Sequence, residues 1–143
     1  MPKNLVIDAN VIAKWVLPGE PYEENALRLK EDMVNKSVIL HSPDLLTYEL
    51  GNILCKAAKK SRISNDNAIS ALPILATMNI ALHSLAWEGS VEVLRSAIEL
   101  NLSTYDVSYL RLGKALGTSV LTADEKLWKS AKEKYDVTLL KDY

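Results

Sequence analysis

Short apolar runs alternate along this chain with longer stretches in which apolar residues recur every three or four positions. Leu5-Val6-Ile7, stopped by Asp8, reads as a buried central strand. A short helix over Val11 to Leu17 follows and ends at Pro18-Gly19. Tyr22 to Asn35 is a charged helix with Ala26, Leu29 and Met33 along one face, and Val38 to His41 is a second strand. Ser42-Pro43-Asp44 opens a helix reaching about Lys60, with Leu46, Leu50, Ile53, Leu54 and Ala57 as its apolar positions. Ser64 caps a further helix that Pro73 kinks or shortens, and Ile80 to His83 is a third strand. Trp87, Val91, Leu94 and Ile98 recur at intervals of 4, 3 and 4, a helical stripe in which Trp87 reads as core. Tyr105 to Leu116 is helical and closes at Gly117, a C′ glycine. Ser119 to Leu121 is a fourth strand, Glu125 to Lys134 a helix, and Val137 to Leu140 a last strand.

Strands separated by helices pair in parallel, because parallel neighbours need crossover connections. Right-handed crossovers then build a three-layer α/β/α sandwich around a central, mostly parallel sheet of four or five strands, with residues 1–143 as a single domain. In such sheets, sites form beyond the carboxyl ends of the strands, near a reversal of strand order. A residue that directly follows a strand therefore carries more functional weight than one elsewhere.

Composition narrows the chemistry. Apolar residues make up 48% and charged residues 24% of the 143, which suits a globular chain rather than a disordered or fibrous one. Cys55 is the only cysteine, so neither an internal disulfide nor a thiolate metal site can form; beside Leu54 it reads as a small buried hydrophobe. His41 and His83 are too few for most imidazole sites and have no partner at triad spacing. A bound metal would need oxygen ligands, which favours Mg²⁺ or Mn²⁺. A net charge of −1 argues against a protein that lives by non-specific attachment to nucleic acid. The stretch from Asn67 to Trp87 has no charge and the length of a membrane span, but its Asn, Ser, Pro, Thr and His residues suit a buried helix, a break and a strand better. With no leader visible before Asp8, the reading is cytoplasmic.

Two acids stand where the strand-end rule points: Asp8 after the first strand and Asp124 closely after the fourth. Two others lie on helices beside apolar stripes: Glu49, in line with Leu45 and Ile53, and Asp106, in line with Tyr109, Leu110 and Gly113. Carboxylates on core-facing stripes need partners, and no arginine or lysine at helical spacing supplies one. If the four meet, each close pair repels by roughly 4 kcal/mol at an effective dielectric of ~20. Either some take up protons or a divalent cation neutralises them. A hard dication makes water a better nucleophile and stabilises charge on a phosphoryl oxygen, which points to phosphate-ester hydrolysis. Each acid also has a plainer reading. Asp124 is equally an N-cap, Asp106 completes a capping box with Ser103, Glu49 is a half-exposed helix residue, and Asp8 is a turn acceptor.

The context of these acids resembles the PIN-domain family, and within it the VapC-type toxins of prokaryotic toxin–antitoxin pairs. VIDANVIAKWVLP is similar to the family's hydrophobic–Asp–small–Asn/Ser opening, and PDLLTYELGNILCKAAKKSRIS to its Pro-x-Leu…Glu helix with a basic tail. LNLSTYDVSYLRLGKALG resembles the segment carrying the third acid, and TSVLTADEKLWKSAK the Thr-x-Asp segment carrying the fourth. The resemblance runs from about Leu5 to Leu140. It implies a divalent-metal endoribonuclease using Mg²⁺ or Mn²⁺, with Asp8, Glu49, Asp106 and Asp124 as the acidic quartet and Asn10 and Thr122 supporting it. Asp8 and Asp106 are then the leading metal ligands, and Glu49 and Asp124 are further ligands or orient the attacking water. An RNA substrate, a homodimer and a cognate antitoxin are implied by similarity alone.

The cluster Lys56, Lys59, Lys60 and Arg62 reads either as a phosphate guide or, slightly better, as a solvated helix end. Trp15 and Trp128 suit a dimer or antitoxin surface. Two rivals stand beside the nuclease. An aspartate-nucleophile phosphatase would want a second acid two residues after Asp8, where this chain has Asn10. A silent PIN-like binding module would have no need of a repulsive acid cluster.

Overall fold

The computed structural model covers residues 1–143. In chain order the elements are β1 (Lys3–Ile7), α1 (Ala9–Ala13), α2 (Glu23–Val34), β2 (Val38–Pro43), α3 (Leu46–Lys59), α4 (Asn65–Ala76), β3 (Ala81–His83), α5 (Trp87–Leu100), α6 (Thr104–Leu116), β4 (Val120–Thr122), α7 (Glu125–Ala131) and β5 (Val137–Leu139), closed by a 3₁₀ turn over Leu140–Asp142. The strands form one sheet in the order β3-β2-β1-β4-β5, and every neighbouring pair is parallel. The chain winds outward from β1 through β2 to β3, then returns to the other side of β1 for β4 and β5. The order therefore reverses between β1 and β4, where a crevice opens beyond the strand ends.

Alternation along the strands explains the layering, since successive side chains leave opposite faces of a sheet. Leu5, Ile7, Leu40 and Leu121 join a core with Val11, Ile12, Ala26, Leu29, Leu50, Leu54 and Leu75, which belong to α1 through α4. Val6 and Val120 join a second core with Val93, Ala97, Val107, Leu110, Leu127 and Ala131, from α5 through α7. The result is an α/β/α sandwich with a five-stranded parallel sheet between two helical layers. Gly117 ends α6 in the left-handed region at φ 65°, where glycine carries no side-chain penalty. Gly113, one turn earlier, lets α6 lie close on β4; a Cβ there would come within 2.7 Å of Val120 Cγ2 and 3.0 Å of the Thr118 carbonyl.

Three expectations fail. β2 runs on through Pro43, so α3 begins at Leu46 rather than at Ser42-Pro43-Asp44; Pro43 is tolerated because it closes the strand. Cys55 is exposed, since α3 turns Leu54 and Ala57 inward and leaves Cys55 on the outer face. The stripe on α5 also faces outward: Trp87 is 90% exposed and Ile98 73%, with Val91 and Leu94 exposed between them. α5 is seated instead through its small face, Gly89, Val93, Ser96 and Ala97. A Cβ on Gly89 would meet the ends of the Arg111 and Leu85 side chains at 2.7 and 2.8 Å, which would have to move aside. Periodicity identified an amphipathic helix, but a tightly packed face can be the small one. α4 behaves similarly, burying Ala68, Ala71 and Leu75 and exposing Ile69 and Ile74, and it continues past Pro73 to Ala76. No helix is long and apolar enough to cross a membrane.

Candidate active site

Asp8 and Asp124 lie on either side of the point where the strand order reverses. Asp8 follows β1, and its backbone N–H donates to the Leu121 carbonyl of β4 at 3.0 Å, which draws the two strand ends together. It stands at the N-cap of α1 in extended conformation, yet its carboxylate makes no cap hydrogen bond. The side chain is held elsewhere: Oδ2 accepts from Thr122 Oγ1 at 2.8 Å and from Asn10 Nδ2 at 3.1 Å. Thr122 Oγ1 in turn accepts from the Asp124 N–H at 3.1 Å, while Asn10 Oδ1 accepts from the Ala123 N–H at 3.1 Å. Asn10 and Thr122 thus stitch the β1–α1 turn to the β4–α7 turn and fix the Asp8 rotamer from both sides. Asp124 does cap a helix, with Oδ1 accepting from the Lys126 and Leu127 N–H groups at the start of α7.

Glu49 and Asp106 arrive from opposite helical layers, in the first turns of α3 and α6. Ser103 caps α6 by accepting from the Asp106 N–H at 3.0 Å. The four acids are close enough to act on one another. The Asp8 carboxyl is pushed up to about 7, by burial first and then by the charges of Glu49 and Asp106, against the hydrogen bond from Thr122. Burial raises Glu49 as well, against the Tyr109 hydroxyl and with Asp106 adding to it. Burial also raises Asp106, with Asp124 adding and Ser103 and Lys126 opposing. None of the four belongs to an ion pair; the bridges of this protein use Glu20, Glu92, Glu99 and Glu125. Half-buried and buried carboxylates without a cation are an all-oxygen donor set, which fits a hard dication in its chemistry. The side chains do not close on one point, and no three acid, histidine or cysteine groups are clustered tightly enough to cage an ion as they stand.

A PIN-domain model matches residues 5–133, which takes in all four acids and every strand but β5, β1 from Leu5 on. The chain belongs to the PIN-domain family. Ribonuclease VapC3 of Pyrobaculum aerophilum is 35% identical over 86% of this chain and 91% of its own length. Exonuclease VapC9 of the same organism is 33% identical over 73% of this chain and 74% of its own. Among solved structures, Mycobacterium tuberculosis VapC20, a sarcin-ricin loop cleaving toxin, superposes with a TM-score of 0.64 at 13% identity, covering 92% of this chain and 95% of that one, and shares the fold.

Within this PIN domain, two further polar side chains reach the acids. Tyr109, 1% exposed, is one turn along α6 from Asp106, and its hydroxyl lies near Asp8, Glu49 and Ser42. Burial, with the two carboxylates, keeps that phenol protonated well past its ordinary range. Ser42, fully buried, sits at the carboxyl end of β2. Both had a signal in the sequence. Tyr109 shares the Asp106 face at i+3, and Ser42 obeys the same strand-end rule as Asp8, once β2 is extended to Pro43. The basic cluster is elsewhere. Lys56 and Lys59 are in the last turn of α3, and Lys59 is ten residues and so roughly 15 Å of helix beyond Glu49. Arg62 pairs with Glu20 at 3.3 Å. Trp15 spends its indole N–H on the Ala26 carbonyl at 2.8 Å, and Lys132 lies over the ring of Trp128 at 4.4 Å.

Proposed function

We propose that this PIN domain, residues 1–143, hydrolyses internal phosphodiester bonds of RNA in the cytoplasm with Mg²⁺ or Mn²⁺, as the toxin of a toxin–antitoxin pair. The observation that carries the reading is that four carboxylates, none of them in an ion pair, lie near enough at the strand-order reversal to act on one another, in a chain whose relatives are named ribonucleases. Asp8 and Asp106 would hold the dication, with Glu49 and Asp124 as further ligands or as the group that orients the attacking water. When bound, the ion supplies charge neutralisation at phosphoryl oxygens and makes water more acidic. The chain's own residues do the rest. Thr122 and Asn10 hold Asp8 Oδ2 in one orientation. The α7 N-terminus holds one oxygen of Asp124 and leaves the other for the site.

Protein partners are part of the same reading. Two acids of α5 are paired with neighbouring helices, Glu92 with Arg111 and Glu99 with Lys134, and beside them Trp87, Val91, Leu94 and Ile98 form an exposed apolar stripe. An exposed apolar stripe of this length suits a second copy of this chain across a two-fold axis. The antitoxin is argued from the VapC names of the relatives.

The test is cleavage of a linear RNA and of a circular RNA of the same sequence. Both should be cut with Mn²⁺ or Mg²⁺, and EDTA should stop both. Cutting of the linear form alone would make the enzyme an exonuclease. Activity that survives EDTA would remove the metal mechanism, and hydrolysis of a phosphomonoester without RNA cleavage would favour the phosphatase.

A further inference from the structure

Three buried polar atoms beside the carboxylates make no hydrogen bond of normal geometry, though they act on one another: Ser42 Oγ, Glu49 Oε1 and Tyr109 OH. They belong to three elements, the end of β2, the first turn of α3 and the second turn of α6, and the phenol lies within the influence of both other groups. Folded proteins leave few such atoms, so three at one place call for a common explanation. Their chemistry and placement together favour one arrangement, because Tyr109 is the group that lies near both of the others. An ionised carboxylate only accepts, a phenol carries one proton, and a serine hydroxyl both gives and accepts. If Tyr109 donated to Ser42, Glu49 Oε1 would depend on Ser42 alone, and it is Tyr109, not Ser42, that acts on Glu49; no lysine or arginine pairs with it either. If Ser42 donates to Tyr109 and Tyr109 donates to Glu49, every atom is satisfied. The electrostatics of the phenol run the same way, with Ser42 acting on Tyr109 as a donor and Glu49 as an acceptor.

Resting on the metal-hydrolase reading above, we infer that Tyr109, supported by Ser42, is the positioning residue for Glu49: its hydroxyl closes onto Oε1 and leaves Oε2 as the oxygen offered to the dication. Asp8 has Thr122 and Asn10 for this purpose, and Asp124 has the start of α7. Glu49 has no other anchor. A neutral donor suits the place, because a lysine there would compete with the ion for the same charge. Tyr109 thus links a helix of one layer to a ligand from the other, across the carboxyl edge of the sheet.

Tyr109→Phe keeps the ring in the core and removes the hydroxyl alone. Mn²⁺ affinity, read by electron paramagnetic resonance, should fall about tenfold. Thermal unfolding in EDTA should occur no lower than in the wild type, because a buried hydroxyl that makes no hydrogen bond of normal geometry has been removed. RNA cleavage should lose kcat at limiting Mn²⁺, recover most of it at saturating Mn²⁺, and keep its KM. Ser42→Ala should weaken Mn²⁺ binding less, and the double variant should match Tyr109→Phe, because Ser42 acts through Tyr109. Wild-type Mn²⁺ affinity in Tyr109→Phe, or independent addition of the two losses, would overturn the inference alone. A wild type that binds no Mn²⁺ at all would overturn the metal reading and this role together.

Discussion

At 7% exposure and facing Glu49 and Asp106, the Asp8 carboxyl keeps its proton up to about pH 7 in the folded chain. Unfolded, it loses that proton near the ordinary carboxylate value of about 4. Between those two values the folded state binds more protons, so raising the pH through this window lowers stability. Glu49 and Asp106, both raised by burial, act in the same direction. Metal-free protein is therefore expected to melt at a higher temperature at pH 5.5 than at pH 8. Mn²⁺ should restore the lost stability at pH 8 and do little at pH 5.5, a comparison that scanning calorimetry can make. Asp8→Asn should flatten the dependence, because its amide oxygen can still accept from Thr122 and Asn10 while the charge is gone. At pH 8 without metal it should be more stable than the wild type by roughly 3 kcal/mol, and it should not cut RNA. An Asp8→Asn variant less stable than its parent at that pH would show that the carboxylate is not a strained group.

Secondary-structure elements carry the site by their ends. β1 and β4 deliver Asp8 and Asp124 at their carboxyl termini, and α3 and α6 deliver Glu49 and Asp106 in their first turns. This arrangement depends on α6 lying close on β4, which Gly113 permits. Gly113→Ala would push a methyl group into Val120 and the Thr118 carbonyl, and should cost roughly 1–3 kcal/mol by urea unfolding. If the substitution stabilised the protein, as alanine does in an unobstructed helix, α6 would have to sit farther from the sheet. Most elements were legible because periods of two and of three to four residues report which face is buried. Element ends were less so. Pro43 marked a helix start by its residue type, but the pairing of Pro43 with His83 holds it in the sheet, and no local pattern contains that partner.

The molecule as a whole decides which apolar face is a core and which is a surface. The stripe Trp87, Val91, Leu94 and Ile98 is the most regular on the chain, yet it is exposed, because the small residues opposite allow α5 closer to α6 than the large ones would. If the proposed dimer is built on this stripe, Leu94→Lys should leave folding intact and convert a dimeric wild type to a monomer in sedimentation velocity. A wild type that sediments as a monomer would remove the dimer, and a variant that stays dimeric would move it to another face. The same distinction separates what was readable from what was not. Periodicity and parallel-strand geometry determine the α/β/α class, and local context picks out the four acids, since each depends on neighbours only a few residues away. Asn10 and Thr122 came only with the resemblance of their segments to a family. Strand order, the outward turn of α5, the exposure of Cys55 and the gathering of Ser42 and Tyr109 around Glu49 were decided by tertiary structure alone. They depend on contacts between residues far apart in the chain, and a linear pattern does not record which distant surface fits a given face.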